Sequence, residues 1–361
     1  MSVHPRLAGV VATFVVLGTS ATACGSDDGE TRDEATPSQS SSPSPSESTS
    51  LPVETPHSGA WIAFQAQGSD GDGIFLVEAD GENGHQIATD IPGEEVHPAW
   101  SPDGTMLAFI VFQGDGGEVW VADADGKNPQ AVTKCRGDCL FYDYVAWVHG
   151  HDQLLMVRDD GPRLPGTPVP GSSVLELLNL QTGERRDVVA TSPYQAPRPH
   201  QLFSAVSVSP NGKRYCAHVE TGDIKGPTGS AIVVGSIAGG RFTMVTDPKE
   251  YGAYCDWSPD GKQIVYSTFD LNVFANMDND SNLYLIAPDG SHRRQITHFA
   301  RGEKRATQPR WTPDGERIVF TLVQGDGSTR QMATVDARGD DLQWATGTQP
   351  QFGTHPVVQP G

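Results

Sequence analysis

The stretch Pro98-Ala-Trp-Ser-Pro-Asp-Gly104 decides the fold, because its second half returns along the chain. The clear copies are Trp100-Ser-Pro-Asp-Gly104, Val208-Ser-Pro-Asn-Gly212, Trp257-Ser-Pro-Asp-Gly261 and Trp311-Thr-Pro-Asp-Gly315. Trp147-Val-His-Gly150 is a degenerate copy, and Val358-Gln-Pro-Gly361 is a truncated one. A repeat at a period of roughly 50 residues is typical of a modular array of similar units.

Each unit contains four apolar runs separated by turn signals. In the second unit these runs are 98–100, 106–112, 119–122 and 130–133. Pro and Gly stand between them at the positions that turn geometry favours. Short strands joined by such turns predict an all-β structure without helices. Four-stranded units arranged around an axis form a β-propeller, which leaves only short, protected strand edges.

The two ends of the folded part predict the number of blades. The part opens at Trp61-Ile-Ala-Phe64, which matches the second strand of a unit. It closes on His355-Pro-Val-Val358, which matches a first strand. We therefore expect the carboxyl end to complete the opening unit. The sequence predicts a six-bladed β-propeller of four-stranded antiparallel blades over residues 58–361.

The amino-terminal region predicts export and a lipid anchor. Residues 1–23 combine Arg6 with an apolar run at 7–17, as in a signal peptide, and the run is too short to span a bilayer. Ala21-Thr-Ala-Cys24 resembles a bacterial lipobox, which predicts a lipoprotein acylated at Cys24, with palmitate among the acyl chains. A secretory signal with an unmodified Cys24 is the alternative. The expected location is the cell membrane, lipid-anchored on its extracytoplasmic face.

A spacer separates this anchor from the propeller. Residues 24–57 are rich in Ser, Pro and acidic side chains and carry few aliphatic ones. Such a segment buries too little surface to offset its ordering entropy, so we expect a disordered tether. As a coil it would reach on the order of 30 Å.

The charge of the chain excludes some partners. The formal net charge is −20 at pH 7, and the predicted propeller contains no cluster of basic residues. Nucleic-acid binding is therefore not expected, because it depends on concentrated Lys and Arg. We expect contact with the membrane only through the lipid anchor.

Four cysteines lie in the predicted propeller: Cys135, Cys139, Cys216 and Cys255. An even number in an exported chain indicates two disulfides. The expected pairs are Cys135–Cys139, closing a short loop, and Cys216–Cys255, joining neighbouring units. Metal binding by the thiols is the alternative, although the chain has no Cys-x-x-Cys pair.

The repeat resembles that of a known family. The runs Pro98-Ala-Trp-Ser-Pro-Asp-Gly104 and Val119-Trp-Val-Ala-Asp-Ala-Asp-Gly126 resemble the WD-like repeat of TolB-type β-propellers, and the fifth and sixth units do so equally. The resemblance covers residues 58–361. TolB is the six-bladed periplasmic partner protein of the Tol–Pal system, so the resemblance implies this architecture and a tendency to bind proteins. Peptidase propeller domains and some lyases share the repeat.

A set of polar residues is predicted to surround the channel on one face. In an up-and-down blade, the residues just ahead of each first strand ring the axis. Three residues before the repeat markers, these are His97, Tyr144, Ala205, Tyr254, Gln308 and His355. We expect His97, Tyr144, Tyr254, Gln308 and His355 to form a ligand-binding funnel, with the two histidines adjacent across the closure. The alternative is that these side chains only satisfy backbone groups at the channel mouth.

Loops predicted on the same face are acidic. They contain Asp70, Asp72, Asp115, Asp159, Asp160, Asp270, Asp278, Asp280 and Asp326. The alternating oxygen side chains of 277–282 suit Ca²⁺, with Asp278 and Asp280 as the candidate ligands. Asp and Asn that only stabilise turns are the alternative. An acidic face would also attract a basic segment of a partner.

These features favour a binding function over catalysis. We expect a monomeric binding or scaffolding module of the bacterial envelope whose partner is a protein or peptide, with a basic segment suiting the acidic face. The alternative is a lyase or metal-dependent enzyme acting on an extracellular sugar or small molecule in the funnel. No Gly-x-Ser-x-Gly elbow, Walker loop or His-Glu-x-x-His motif is present.

Overall fold

The computed structural model describes residues 60–68, 72–114, 116–137, 139–148, 152–161, 172–191, 200–223, 226–268, 281–300, 302–325, 327, 329–345 and 353–361. Within these residues the chain forms 24 β-strands and one short 3-10 helix, Pro248–Glu250. No helix in this part of the chain is long and apolar enough to cross a bilayer. The predicted signal peptide, Cys24 and the tether lie outside the described residues.

The strands form six sheets of four antiparallel strands each, as predicted. Blade 1 consists of β24 (Thr354–Val358), β1 (Trp61–Gln67), β2 (Asp72–Glu78) and β3 (His85–Gln86). Blade 2 consists of β4 (Glu94–Trp100), β5 (Met106–Gln113), β6 (Gly116–Asp123) and β7 (Gln130–Ala131). Blade 3 consists of β8 (Cys139–Val148), β9 (Gln153–Asp160), β10 (Ser172–Asn179) and β11 (Arg185–Ala190).

The remaining three blades follow the same order. Blade 4 consists of β12 (His200–Val208), β13 (Arg214–Asp223), β14 (Gly226–Ser236) and β15 (Thr243–Met244). Blade 5 consists of β16 (Gly252–Trp257), β17 (Ile264–Thr268), β18 (Leu283–Ile286) and β19 (Arg294–Gln295). Blade 6 consists of β20 (Lys304–Trp311), β21 (Arg317–Gln324), β22 (Arg330–Asp336) and β23 (Gln343–Trp344).

The first strands of the blades surround the axis. They contact one another in a closed cycle, in the order β24, β4, β8, β12, β16, β20 and back to β24. The cycle confirms the prediction of six blades. The innermost strand of every blade therefore lies beside two other innermost strands.

Blade 1 is built from both ends of the described chain, which confirms the predicted closure. Strand β24 pairs antiparallel with β1, with Ile62 opposite Val358. The backbone N–H of Gln359 donates to the carbonyl of Trp61 at 2.8 Å, and its side-chain amide donates to the carbonyl of Gly104 at 2.7 Å. The carboxyl-terminal tail thus completes blade 1 by pairing with β1, and it also connects blade 1 to blade 2.

The Ser-Pro-Asp-Gly motif forms the turn between the first and second strands. In blade 2 the hydroxyl of Ser101 donates to Asp103 Oδ1 at 2.6 Å and accepts from the N–H of Met106 at 2.9 Å. The N–H of Gly104 donates to the carbonyl of Ser101, and Gly104 has φ 68°. Blades 5 and 6 repeat the hydroxyl–carboxylate bond through Ser258–Asp260 and Thr312–Asp314. The motif therefore recurs because it supplies the turn's own hydrogen bonds.

Both faces of each blade are apolar because each blade packs between two neighbours. The described residues form six buried apolar clusters, one at each interface between adjacent blades. In β5 the alternation is direct, since Leu107 and Phe109 face blade 1 while Ala108 and Ile110 face blade 3. Burial at roughly 25 cal/mol per Å² of apolar surface makes these interfaces the main source of stability.

The tryptophan of the repeat connects a blade to the preceding one. Trp100 Nε1 donates to the carbonyl of Val357 at 3.2 Å, and Trp147 Nε1 donates to the carbonyl of Ala99 at 3.0 Å. Both indoles are buried. In blades 2 and 3 the tryptophan therefore donates a hydrogen bond to the innermost strand of the preceding blade.

Both predicted disulfides are present. Cys135–Cys139 closes a loop at a sequence separation of 4. Cys216 on β13 bonds to Cys255 on β16, so this disulfide links blade 4 to blade 5. All four cysteines of the propeller are therefore in disulfides, and the alternative that their thiols bind a metal is wrong.

We predict that the turn of blade 2 is less tolerant of a methyl group than the same turn of blade 5. Gly104 and Gly261 share φ 68°, so alanine at either position costs about 1 kcal/mol in backbone strain. A Cβ at Gly104 would also overlap the carbonyl oxygen of Pro360, whereas at Gly261 the nearest atom is Pro210 Cδ at 3.6 Å. Gly104→Ala should therefore lose about 1–3 kcal/mol more than Gly261→Ala in urea unfolding. Equal losses would contradict the role of the tail contact.

Candidate functional site

Every innermost strand contains a β-bulge near the axis. The pairing register shifts within β4, β8, β12, β16 and β20, and where β24 meets β1. In five blades a non-glycine residue at the bulge has a left-handed backbone. These are His97 (φ 55°), Ala205 (φ 46°), Tyr254 (φ 51°), Gln308 (φ 56°) and His355 (φ 53°). Such a conformation costs roughly 1–2 kcal/mol per residue, and strain of this kind is common at functional sites.

The residues of the predicted ring occupy these bulges. They were expected just ahead of the first strands, but the structure places all six inside them, because the bulge is part of the strand. Blade 3 differs from the others. There Asp143 is the extra residue between paired Tyr142 and Tyr144, and Tyr144 keeps a negative φ.

Four of the ring side chains contact one another around the axis. His97 stacks on Tyr144 with ring centroids 3.9 Å apart, and it meets His355 edge-on at 4.5 Å. Tyr254 lies 6.0 Å from His355. The histidines are therefore adjacent across the closure, as the sequence predicted. Their role in ligand binding stays a prediction.

Hydrogen bonds fix the protonation of His355. Gln308 Oε1 accepts from Thr321 Oγ1 at 2.8 Å and from the N–H of His355 at 3.2 Å. Its amide nitrogen therefore faces His355 Nε2, 2.9 Å away, and donates to it. The ring proton of neutral His355 then resides on Nδ1, beside Thr354 Oγ1 at 3.3 Å.

His97 is held in a defined tautomer as well. Its Nδ1 lies 2.7 Å from the carbonyl oxygen of Asp143, which can only accept, so Nδ1 carries the proton. Burial lowers the pKa of His97 to about 4, against a rise from the Asp143 carbonyl. Burial, with neighbouring His97 and Arg310, places the pKa of His355 well below its usual value. Both imidazoles are therefore uncharged at neutral pH.

A carboxyl cluster lies beside this ring. Its members are Asp143 on β8, Asp159 on β9 and Glu220 on β13. Burial raises the pKa of Asp143 and of Glu220 to about 7, and repulsion from Asp143 adds to the rise at Glu220. Burial, followed by Asp143 and other acids, raises the pKa of Asp159 well above its usual value. The three groups therefore hold protons far more strongly than exposed acids do.

The sequence only partly indicated this cluster. Asp159 was predicted in an acidic loop, but it is the next-to-last residue of β9 and is 5% exposed. Asp143 was not predicted at all. The signal was available, because Asp143 interrupts the otherwise apolar and aromatic run 140–148. Asp72 and Asp160 also lie in strands, and the other predicted loop acids lie outside the described residues.

A third histidine lies next to the ring. His218 on β13 is 3% exposed, and neither ring nitrogen has a hydrogen-bond partner in the structure. Its ring centroid is 6.1 Å from that of Tyr254. Burial lowers the pKa of His218 to about 4, so this imidazole is also neutral at pH 7.

The predicted calcium ligands Asp278 and Asp280 lie outside the described residues. In the described ranges, no three His, Cys, Asp or Glu side chains are placed to hold a metal ion. The calcium site therefore stays a prediction.

We predict that Asp143→Asn stabilises the protein increasingly as the pH rises. The native Asp143 binds its proton up to about pH 7, whereas the unfolded chain releases it near pH 4. Since the native state binds more protons, this group's contribution to stability is lost as the pH rises through 7. Relative to wild type, the variant should gain about 2 kcal/mol between pH 5.5 and 8.5 in chemical unfolding.

The control for this experiment is Asp90→Asn, which removes an exposed acid. Its stability relative to wild type should stay constant over the same range. A pH-independent difference for Asp143→Asn would show that this carboxyl is ionised in the native protein throughout.

Comparison with known proteins supports the fold. No protein-family profile matches the chain. Dipeptidyl-peptidase 5 of Porphyromonas endodontalis is 34% identical over 92 residues, which is 25% of this chain and 12% of that protein. The uncharacterized peptidase YuxL of Bacillus subtilis is 29% identical over 85 residues, or 23% and 10%. The chain thus spans about a tenth of the length of these curated relatives.

Solved structures extend the likeness to most of the chain. TolB from Acinetobacter baumannii has a TM-score of 0.59 and 14% identity, covering 85% of this chain and 68% of that one. A putative TolB from Agrobacterium tumefaciens has a TM-score of 0.54 and 17% identity, covering 81% and 89%. At these identities the likeness concerns architecture. The chain has the fold of TolB-like propellers.

Proposed function

We propose that this chain is a lipid-anchored, extracytoplasmic propeller that binds a protein or peptide of the bacterial envelope at one end of its axis. The observation that carries the proposal is the polar ring. Five of the six innermost strands hold their ring residue in a left-handed bulge, and polar side chains from five blades meet there. Four of these strained positions carry polar side chains, and backbone strain of this kind clusters at functional sites.

The binding face is the one where each second strand ends and each third strand begins. In blade 3, Cys139 lies opposite Asp160, which lies opposite Ser172. The turns with the Ser-Pro-Asp-Gly motif lie at the other end of the strands. The carboxyl cluster lies toward the first face, and the acidic loops were predicted on the same face, so a partner with a basic segment would be attracted to it.

The exposed surface favours a polar mode of recognition. Among the described residues, Met244 is the single large hydrophobic side chain that is exposed, at 38%. An apolar docking patch is therefore not present in this part of the protein. The net charge of −20 supports electrostatic attraction of a basic partner. The role of TolB as a partner protein, implied by the repeat, agrees with this proposal.

An enzyme acting on a small molecule is the second candidate. It is supported by the group of buried histidines and carboxyls with shifted pKa values, because such groups concentrate at catalytic sites. A small substrate would need no macromolecule at the mouth of the channel. The two candidates therefore differ in the neighbour expected at this face in the cell, which is an envelope protein for the first and no macromolecule for the second.

We predict that a photo-crosslinking amino acid at Glu94 captures a discrete envelope protein in intact cells. Glu94 is exposed at the start of β4, on the proposed binding face. The matched control is Lys262, which is exposed in the turn of blade 5 at the opposite end. Adducts at Glu94 alone would support the proposal. Adducts at neither position, or equally at both, would contradict it.

We also predict that Cys24→Ala releases the protein from the membrane. Without the acyl chains, the described residues offer no helix that could anchor it. Immunoblots of membrane and culture fluid should show a shift from the first to the second. Retention of the variant in the membrane fraction would overturn the anchor.

A further inference from the structure

The carboxyl cluster of Asp143, Asp159 and Glu220 contains acceptors without donors. Oδ1 of Asp143 and Oδ1 of Asp159 are both buried and have no hydrogen-bond partner. Their residues are 8% and 5% exposed. Leaving a buried acceptor unpaired is costly, so native proteins rarely do so unless a water, an ion or a ligand group completes the site.

The surrounding strands do not supply a cation to the cluster. The strands packed against β8 carry few titratable side chains. Those described are Glu94, Glu95 and His97 on β4, Glu118 and Asp123 on β6, and Arg158, Asp159 and Asp160 on β9. Arg158 is engaged by Asp160 and Glu176. His97 Nδ1 is 3.7 Å from Asp143 Oδ1 and donates instead to the Asp143 carbonyl. No ion pair among the described residues joins Lys or Arg to the cluster.

The position of the cluster makes it part of the binding face. Asp159 lies at the end of β9, and Glu220 lies toward the end of β13, opposite Ser230 on β14. Asp143 comes from the bulge of β8 and touches the ring through His97. Three acids from two adjacent blades thus lie beside the circle of side chains around the axis, which includes Tyr144 and Tyr254. The faces of aromatic side chains also attract cations.

The chemistry of the acceptors selects one kind of ligand. A bare metal ion is disfavoured, because no three acidic or histidine side chains of the described chain are placed to hold one. A guanidinium needs a coplanar pair of acceptors on one side. A primary ammonium has three rotatable donors on a flexible stem and can bridge separate carboxylates.

We propose that Asp143, Asp159 and Glu220 form a receptor for a primary ammonium group, such as the end of a lysine side chain, presented by a peptide ligand. This inference rests on the proposed function, because the envelope partner carries the lysine. Near pH 7 the carboxyls retain protons. When the ammonium group binds, they release these protons, and the positive charge of the ammonium balances the carboxylates that form. Protons are therefore released from Asp143 and Glu220 on binding at pH 6.5, and this release falls at pH 8.5, where these two carboxyls are already ionised.

The test is isothermal titration calorimetry of the full chain with the blocked tripeptide acetyl-Gly-Lys-Gly-amide, in buffers of different ionisation enthalpy. We expect binding with proton release at pH 6.5. Asp143→Asn and Glu220→Gln should each weaken it by about tenfold or more and reduce the release. Asp90→Asn should behave as wild type, and the same peptide with an acetylated lysine should not bind.

Equal binding of the acetylated peptide, or unchanged affinity and proton release in Asp143→Asn, would overturn the ammonium receptor. Thermal unfolding of each variant shows that it is folded before titration. If the lysine peptide does not bind while Glu94 still captures an envelope protein, the ammonium receptor fails and the proposed function stands. If the peptide does not bind and Glu94 captures nothing, both fail.

Discussion

Pairing of β24 with β1 is the constraint on which the rest of the structure depends. It joins the two ends of the propeller by backbone hydrogen bonds, and Gln359 extends the contact to Gly104 of blade 2. Every interface between blades is apolar on both sides, so an open array would expose two such faces. Closure removes both faces at once. It also brings His355 from the last strand next to His97 from the second blade.

The bulges convert this architecture into a site. A regular innermost strand would alternate its side chains between the two neighbouring blades, and none would point along the axis. One extra residue with a left-handed backbone interrupts the alternation, so that its side chain points toward the propeller axis. The interface clusters compensate for this strain, since each blade buries apolar residues on both faces. Stability is therefore concentrated between blades, while polar groups collect at the centre.

The sequence predicted most of the fold because its signals are local. The Ser-Pro-Asp-Gly turn carries its own hydrogen bonds, so its recurrence marks each blade without knowledge of the packing. The pairing of Cys216 with Cys255 was predicted because an exported chain with four such cysteines favours two disulfides and these two lie in neighbouring units. The bulge at His97 could not be seen, because it results from the register of β4 with β5, and that pairing is not written in the local sequence. Burial of Asp159 likewise depends on the contact of blade 3 with blade 4.

The charge states of the buried histidines and carboxyls near the propeller axis follow from their burial. They connect the fold to the proposed site. The same desolvation that keeps His97 and His218 neutral also raises the pKa of Asp143 and Glu220 to about 7, so burial opposes charge at the centre of a chain with net charge −20. A neutral centre avoids repulsion between acids from adjacent blades. An arriving ammonium group changes that balance, because each carboxyl that ionises gains a partner for the charge that burial had disfavoured. The affinity of such a site therefore depends on pH through its own protons.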